Sequence, residues 1–247
     1  MLQTYDPIYT LKSIGYNIWI VDGDVINLSF GPIKAPFTTR MTIVKLENGE
    51  LWIHSPIDAT DELFKEIDKL GEVKYLISPN KLHYAYIEQW QKRYPRAVTF
   101  ASPGVEKRAR KQGYSIKFHE DLTKNSPHYW KKEIEQLIFE GSTVVQEVVF
   151  FHKTTKTLIL TDLIENFEPE KVESGFWRFV MKCGCIAAPN GQTPIDFRST
   201  FTNRSLAQSH LETMIGWNPE KIVIAHGKWF ESDGVAELKR AFKWLRK

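Results

Sequence analysis

The sequence predicts an α/β fold in which two β-sheets are covered by helices. Three observations predict it. Apolar strands alternate with amphipathic helices through residues 59–112, which is the order that builds a sheet with helices on its face. A second run of strands followed by helices occupies residues 133–247, enough for another sheet with its own cover. Four apolar strands also end alike, running into His54, Ser78, Asp162 and His226. Polar groups just past the carboxyl ends of buried strands are where open α/β sheets place their sites.

The elements follow in order. Residues 17–22, 25–30, 41–46 and 51–54 read as strands, and Asn48-Gly49 between the last two is a strong hairpin signal because both residues tolerate positive φ. A helix over 59–70 places Leu63, Ile67 and Leu70 on one face. A strand over 73–78 leads into a helix over 83–94, with His83, Ile87, Trp90 and Tyr94 at helical spacing and Pro95 as its stop. Residues 97–101 form a further strand, and a helix over 104–112 ends at Gly113. Residues 133–140, 144–152 and 157–161 read as an antiparallel run. Two mainly helical segments between 169 and 217 flank the loop 189–194. A strand over 221–225 and a helix to the C-terminus, with Val235, Leu238, Phe242 and Leu245 inward, complete the chain.

Composition narrows the function. Lys+Arg 33 against Asp+Glu 30 leaves a net charge of +3, too small a bias to point to nucleic acid. Apolar runs are strand-length rather than membrane-length, and the first residues lack a signal-peptide pattern. Cys183 and Cys185 are too close for a framework disulfide and too compact for a zinc half-site. The expectation is a soluble, cytoplasmic protein with one domain over 1–247, a helical insertion at about 169–217, and no membrane partner.

The order and content of these segments resemble the metallo-β-lactamase-like superfamily, and more closely a branch of it with no assigned activity. Residues 41–58 resemble its early hairpin, with His54 where many members carry Asp. Residues 73–101 resemble the strand, ligand turn, helix and strand that hold its main motif. Residues 147–162 resemble the hairpin ending in a metal-bridging aspartate, here Asp162, and residues 221–227 the final strand with its ligand histidine, here His226. The resemblance implies an αββα sandwich.

It also implies a metal site, which the sequence fills only in part. The superfamily motif is Thr-His-x-His-x-Asp-His. With Ser78 at its Thr, Pro79 and Lys81 take the first two histidine positions, His83 the Asp position and Tyr84 the last histidine. Sliding by one residue puts Ser78, Asn80, Leu82 and His83 at the four ligand positions instead. Neither register restores the site, since Pro and Leu cannot ligate and a Lys ammonium repels a cation. Asp162, His226 and His83 remain, a set that suits one divalent ion (zinc, manganese or iron) but not two.

Two functional readings follow. In the first, the protein binds a small ligand or a partner without metal hydrolysis, using no cofactor; His54, Asn80, Lys81, Tyr84, Arg198 and Arg204 are the candidate ligand-binding residues. In the second, Asp162, His226 and His83 are both the metal ligands and the catalytic residues of a mononuclear hydrolase of an ester, thioester or phosphodiester. A nucleic-acid-binding role ranks last. Each of the three residues also has a structural reading: His83 as a hydrogen-bonded, partly buried residue, Asp162 as a cap, His226 as part of a turn.

Overall fold

The computed structural model describes residues 1–30, 33–144 and 146–245. In chain order the strands are β1 (Lys12–Gly15), β2 (Ile18–Asp22), β3 (Ile26–Phe30), β4 (Ile33–Phe37), β5 (Arg40–Lys45), β6 (Glu50–His54), β7 (Glu72–Ser78), β8 (Val98–Ala101) and β9 (Glu120–Asp121). The second group is β10 (Ile134–Phe139), β11 (Glu147–His152), β12 (Thr157–Ile159) and β13 (Lys221–Val223). The helices are α1 (Asp61–Leu70), α2 (Ile87–Arg93), α3 (Val105–Lys111), α4 (Gly175–Cys183), α5 (Ile195–Ser199), α6 (Arg204–Gly216) and α7 (Gly234–Ala241).

One sheet runs β1-β2-β5-β6-β7-β8-β9, a second runs β10-β11-β12-β13, and β3 and β4 pair as a separate two-stranded antiparallel sheet. The two main sheets face each other over a core that includes Trp52, Tyr75, Phe100, Trp130 and Phe150. Edge-to-face contacts such as Trp52–Phe150 at 4.9 Å and Phe100–Trp130 at 4.8 Å fill this layer. Such pairs add about 0.5–1.5 kcal/mol each beyond the area they bury. On the outer face of the first sheet, Leu63, Phe64 and Ile67 of α1, Ile87 and Trp90 of α2, and Val105 and Ala109 of α3 form a second core. Ala207, Leu211 and Met214 of α6 and Leu238 and Ala241 of α7 cover the second sheet. The result is the αββα sandwich.

Local signals explain much of this. Gly49 takes the left-handed conformation, φ 86°, at the turn joining β5 to β6. The Thr60 side chain accepts from Leu63 N, and Asp61 and Glu62 occupy the first turn of α1, where the helix dipole favours acids. β10, β11 and β12 are antiparallel in register, as the sequence predicts.

Some boundaries differ. α2 begins at Ile87 rather than at residue 83, because a hydrogen-bonded turn occupies the residues before it. β11 begins at Glu147 rather than 144, and residue 145 lies outside the described residues. The segment 169–217 divides. α4 packs Met181 against Leu2, Phe167 and Val172, whereas α6 belongs to the helical layer over the second sheet. The last helix stops at Ala241, a short 3-10 turn follows at Lys243–Leu245, and residues 246–247 lie outside the described residues. Among the described residues, no helix is long and apolar enough to cross a membrane.

The parallel pairs β6–β7 and β12–β13 fix the functional rim, since their carboxyl ends all point the same way within each pair. The two sheets are stitched together there: Val148 N donates to Pro79 O at 2.8 Å, and Asn80 bridges to Glu147.

Candidate metal centre

Asp162 Oδ1 lies 3.1 Å from His83 Nε2 and 3.1 Å from His226 Nε2. The three prospective donor atoms all lie within 4.8 Å of one another, and among the described residues no other group of three His, Cys, Asp or Glu meets that condition. His83 is partly buried, whereas Asp162 and His226 are only 3% exposed. The three residues converge from the turn after β7, the residues after β12 and the loop after β13.

Each imidazole is oriented from behind. His226 Nδ1 is 2.6 Å from the carbonyl oxygen of Thr38. A carbonyl only accepts, so Nδ1 carries a hydrogen and Nε2 is the nitrogen directed at Asp162 Oδ1. His83 Nδ1 is 2.6 Å from Ser55 Oγ, a group that can donate or accept. Ser55 itself has φ 53°, an uncommon backbone state for a residue with a Cβ, held by its N–H bond to Ile77 O.

The acid is fixed as firmly. Asn80 Nδ2 donates to Asp162 Oδ2 at 2.6 Å and to Thr161 Oγ1 at 2.8 Å, with Glu147 Oε2 at 3.2 Å. Asn80 Oδ1 accepts from the backbone N–H of Leu82 and His83, and Ser78 Oγ donates to His83 O. One buried amide thus both forms the turn that presents His83 and orients Asp162. The fully buried Glu147 accepts from Thr161 N at 2.7 Å and Asp162 N at 2.8 Å, tying the residues after β12 to β11.

A clamp holds the His226 loop. Arg40, 3% exposed, donates to Ile224 O and Gly227 O, both at 2.8 Å, and pairs with Asp22 Oδ1 at 2.6 Å. Thr38 Oγ1 accepts from Gly227 N, and Phe37 stands edge-on to the His226 ring at 5.2 Å. Gly227 has φ 89°, and a Cβ there would sit 2.3 Å from Asn166 O, so only glycine fits.

The electrostatics match this geometry. Burial disfavours charge on His83, but the Asp162 carboxylate, supported by Glu147, outweighs it and raises the imidazole's pKa. Burial likewise disfavours charge on Asp162, and the two imidazoles overcome it and hold the carboxyl well below its ordinary range. Burial, then the Asp162 charge, raises Glu147.

The other residues singled out in the sequence lie elsewhere. His54 is buried, stacked on Trp52 at 5.5 Å and edge-on to Phe150; burial, then the His83 charge, pushes it down to about 3. Its Nε2 has no hydrogen-bond partner. Tyr84 turns into the core against Tyr114. Lys81 lines a separate polar cavity of about 330 Å³ with Glu140, Ser142 and Asn203. Arg198 spends its guanidinium on Thr193 O and Gln192 Oε1, and Arg204 is exposed at the start of α6. Cys183 and Cys185 are free thiols.

The profile of a domain of unknown function, DUF4336, matches residues 18–175. The chain belongs to the DUF4336 family. No curated protein matches it. Among solved structures, the DIM-1 metallo-β-lactamase is similar at 15% identity and a TM-score of 0.65, over 98% of each chain. A metallo-β-lactamase from Pontibacter korlensis is similar at 12% identity and a TM-score of 0.63, over 99% of this chain and 100% of that one. The FIM-1 enzyme from Pseudomonas aeruginosa, in its mono-zinc form, is similar at 11% identity and a TM-score of 0.62, over 96% of each. These likenesses establish that this DUF4336 chain has the metallo-β-lactamase fold.

The donor set suits a divalent ion. One carboxylate oxygen and two imidazole nitrogens lie within 4.8 Å of one another, and the backbone carbonyl bonded to His226 Nδ1 leaves Nε2 as its donor toward an ion. A second ion would need ligands that Pro79, Asn80 and Lys81 do not supply in this arrangement, since Asn80 is committed to Asp162 and Thr161 and Lys81 faces another cavity.

Proposed function

We propose that this protein is a single-ion hydrolase of a small ester, thioester or phosphodiester, with His83, Asp162 and His226 as the ion's ligands. The observation that carries the reading is the facing pair His226 Nε2 and Asp162 Oδ1, 3.1 Å apart. With Nδ1 committed to Thr38 O, Nε2 is the ring nitrogen left to face the carboxylate oxygen. His83 Nε2 meets the same Oδ1 at 3.1 Å, so three atoms that can each bind a divalent ion converge within 4.8 Å of one another.

A divalent ion with three protein ligands and an open position lowers the pKa of a bound water and polarises a carbonyl or phosphoryl oxygen. The chain's own residues supply the rest. Asp162 offers Oδ1 while Asn80 restrains Oδ2. Ser55 and Thr38 bond the two rings at their far nitrogens, which would leave both Nε2 atoms free to hold the ion. Burial of Asp162 and His226 keeps competing water away and strengthens every charge interaction at the centre.

We prefer this reading to the metal-free ligand-binding role that the missing motif residues favour in the sequence, because the three donors converge at one point of the rim. Zinc or manganese is added to metal-stripped protein, and hydrolysis of p-nitrophenyl acetate, a thioester and bis(p-nitrophenyl) phosphate is followed. Metal-dependent turnover of one substrate class, lost in Asp162→Ala and His226→Ala, supports the proposal. Ion binding without turnover on any class reduces the protein to a metal-binding one, and failure to bind an ion returns the metal-free role.

A further inference from the structure

The turn that presents His83 has a second side. Asn80 and Glu147 meet in an antiparallel bridge, and each bonds to Asp162. Their chain neighbours Lys81 and Gln146 instead line a polar cavity of about 330 Å³, together with Glu140, Gly141, Thr202 and Asn203. The cavity is built by two segments pinned to each other: Asn203 N donates to Gly141 O and Thr143 N to Thr200 O, both at 3.0 Å. Gly141 has φ 112°, and a Cβ there would fall 2.6 Å from Asn203 O, so this join admits only glycine.

The uncommitted groups on these walls are chiefly donors. Lys81 is half-buried, and its stem lies against Gly104, where a Cβ would meet Lys81 Cε at 2.9 Å. Among the described residues its ammonium has no hydrogen-bond or ion-pair partner. Other half-buried lysines have one: Lys12 bonds to Asp22 Oδ2 at 2.8 Å, and Lys171 to Thr4 O at 3.0 Å. Asn203 spends Oδ1 on Leu206 N as the cap of α6, which leaves its Nδ2 to donate. Gln146 adds an amide and Thr202 a hydroxyl, and neither side chain is bonded among the described residues. The one acid, Glu140, is already paired with Lys124 at 3.4 Å. An unpaired ammonium beside amide and hydroxyl donors suits an anion.

We propose that this cavity binds a small molecule through its carboxylate or phosphate group, with Lys81 and Asn203 Nδ2 as the donors. Its volume lies at the lower end of small-molecule sites, roughly 300–1,000 Å³, which fits a compact ligand larger than a bare ion. The site is distinct from the metal centre and does not rest on the single-ion reading. It places an anion on the far side of the bridge that orients Asp162.

NMR titrations of the full chain, free of added metal, with phenyl phosphate, benzoate and neutral benzamide test the site. At least one of the two anions shifts the amides of Gly141, Thr143 and Asn203 with a Kd below about 5 mM. The tighter of the two names the head group. Lys81→Met keeps the stem against Gly104 and weakens binding by at least ~10-fold, whereas Lys81→Arg stays within a few-fold. Asn203→Asp keeps an oxygen to cap α6 but puts a negative charge where Nδ2 donated, and it also weakens binding by at least ~10-fold. Three results overturn the proposal: no anion binding below about 5 mM, benzamide bound as tightly as benzoate, or unchanged affinity in either Lys81→Met or Asn203→Asp. None of them bears on the single-ion reading, since no metal is present.

Discussion

His226 and Asp162 face each other across 3.1 Å with the imidazole's other nitrogen already bonded to Thr38 O. The backbone of the β4–β5 connection therefore chooses the tautomer of a residue nearly two hundred positions away. That link between a fold element and one ring fixes which nitrogen of His226 faces Asp162.

Asp162→Asn tests the role of the carboxylate with little change of shape. Zinc affinity falls by at least ~100-fold, because a charged ligand is lost. The His83 pKa also falls, since burial is then opposed only by the weaker Glu147 charge. Titration of the His83 ring by NMR reads the second effect.

The clamp on the His226 loop separates positioning from ligation. Arg40→Met leaves Asp22 buried with Lys12 as its remaining partner and removes two bonds to the loop. It costs about 3 kcal/mol in urea unfolding. Thr38→Val removes one hydroxyl bond to Gly227 N and costs about 1 kcal/mol, but keeps the carbonyl that sets His226. Its zinc affinity stays within a few-fold of wild type.

Gly227→Ala forces a Cβ to within 2.3 Å of Asn166 O at φ 89°. The loop must shift and carry His226 with it. Zinc affinity falls ~10–100-fold even though no ligand is changed.

The ion-free protein loses stability as pH rises from 6.5 to 8. Glu165, raised from 4.5 to about 8, binds more protons folded than unfolded in this interval, so rising pH favours the unfolded chain. His83, also raised, acts in the same direction. His54 and His152, lowered to about 3 and about 4, have the opposite sign, but act below their ordinary 6.5. Glu165→Gln makes the decline shallower by up to about 1.4 kcal/mol per pH unit in this interval, read from urea melts at several pH values.

The fold was legible because its signals are local and repeated. Strand ends at His54, Ser78, Asp162 and His226 mark the rim, and the 147–162 hairpin has the predicted pairing. The spacing of His83 to Ile87 and Trp90 is helical and predicts a helix from residue 83. The Asn80 side chain competes for the N–H groups of Leu82 and His83 and holds a turn instead. Glu147 left a trace, as an acid opening an otherwise apolar strand, but its bonds to residues 161 and 162 depend on tertiary pairing. Thr38, Arg40 and Glu165 left none. Their significance lies in what faces them across the fold, which no spacing along the chain encodes.

The central claim is that His83, Asp162 and His226 hold a single divalent ion. Crystals soaked in zinc and measured at the zinc absorption edge test it most directly. The account predicts about one anomalous peak per chain, bonded to Asp162 Oδ1 and both Nε2 atoms at roughly 2.0–2.2 Å. No peak at those atoms, or two peaks within the rim, would contradict it.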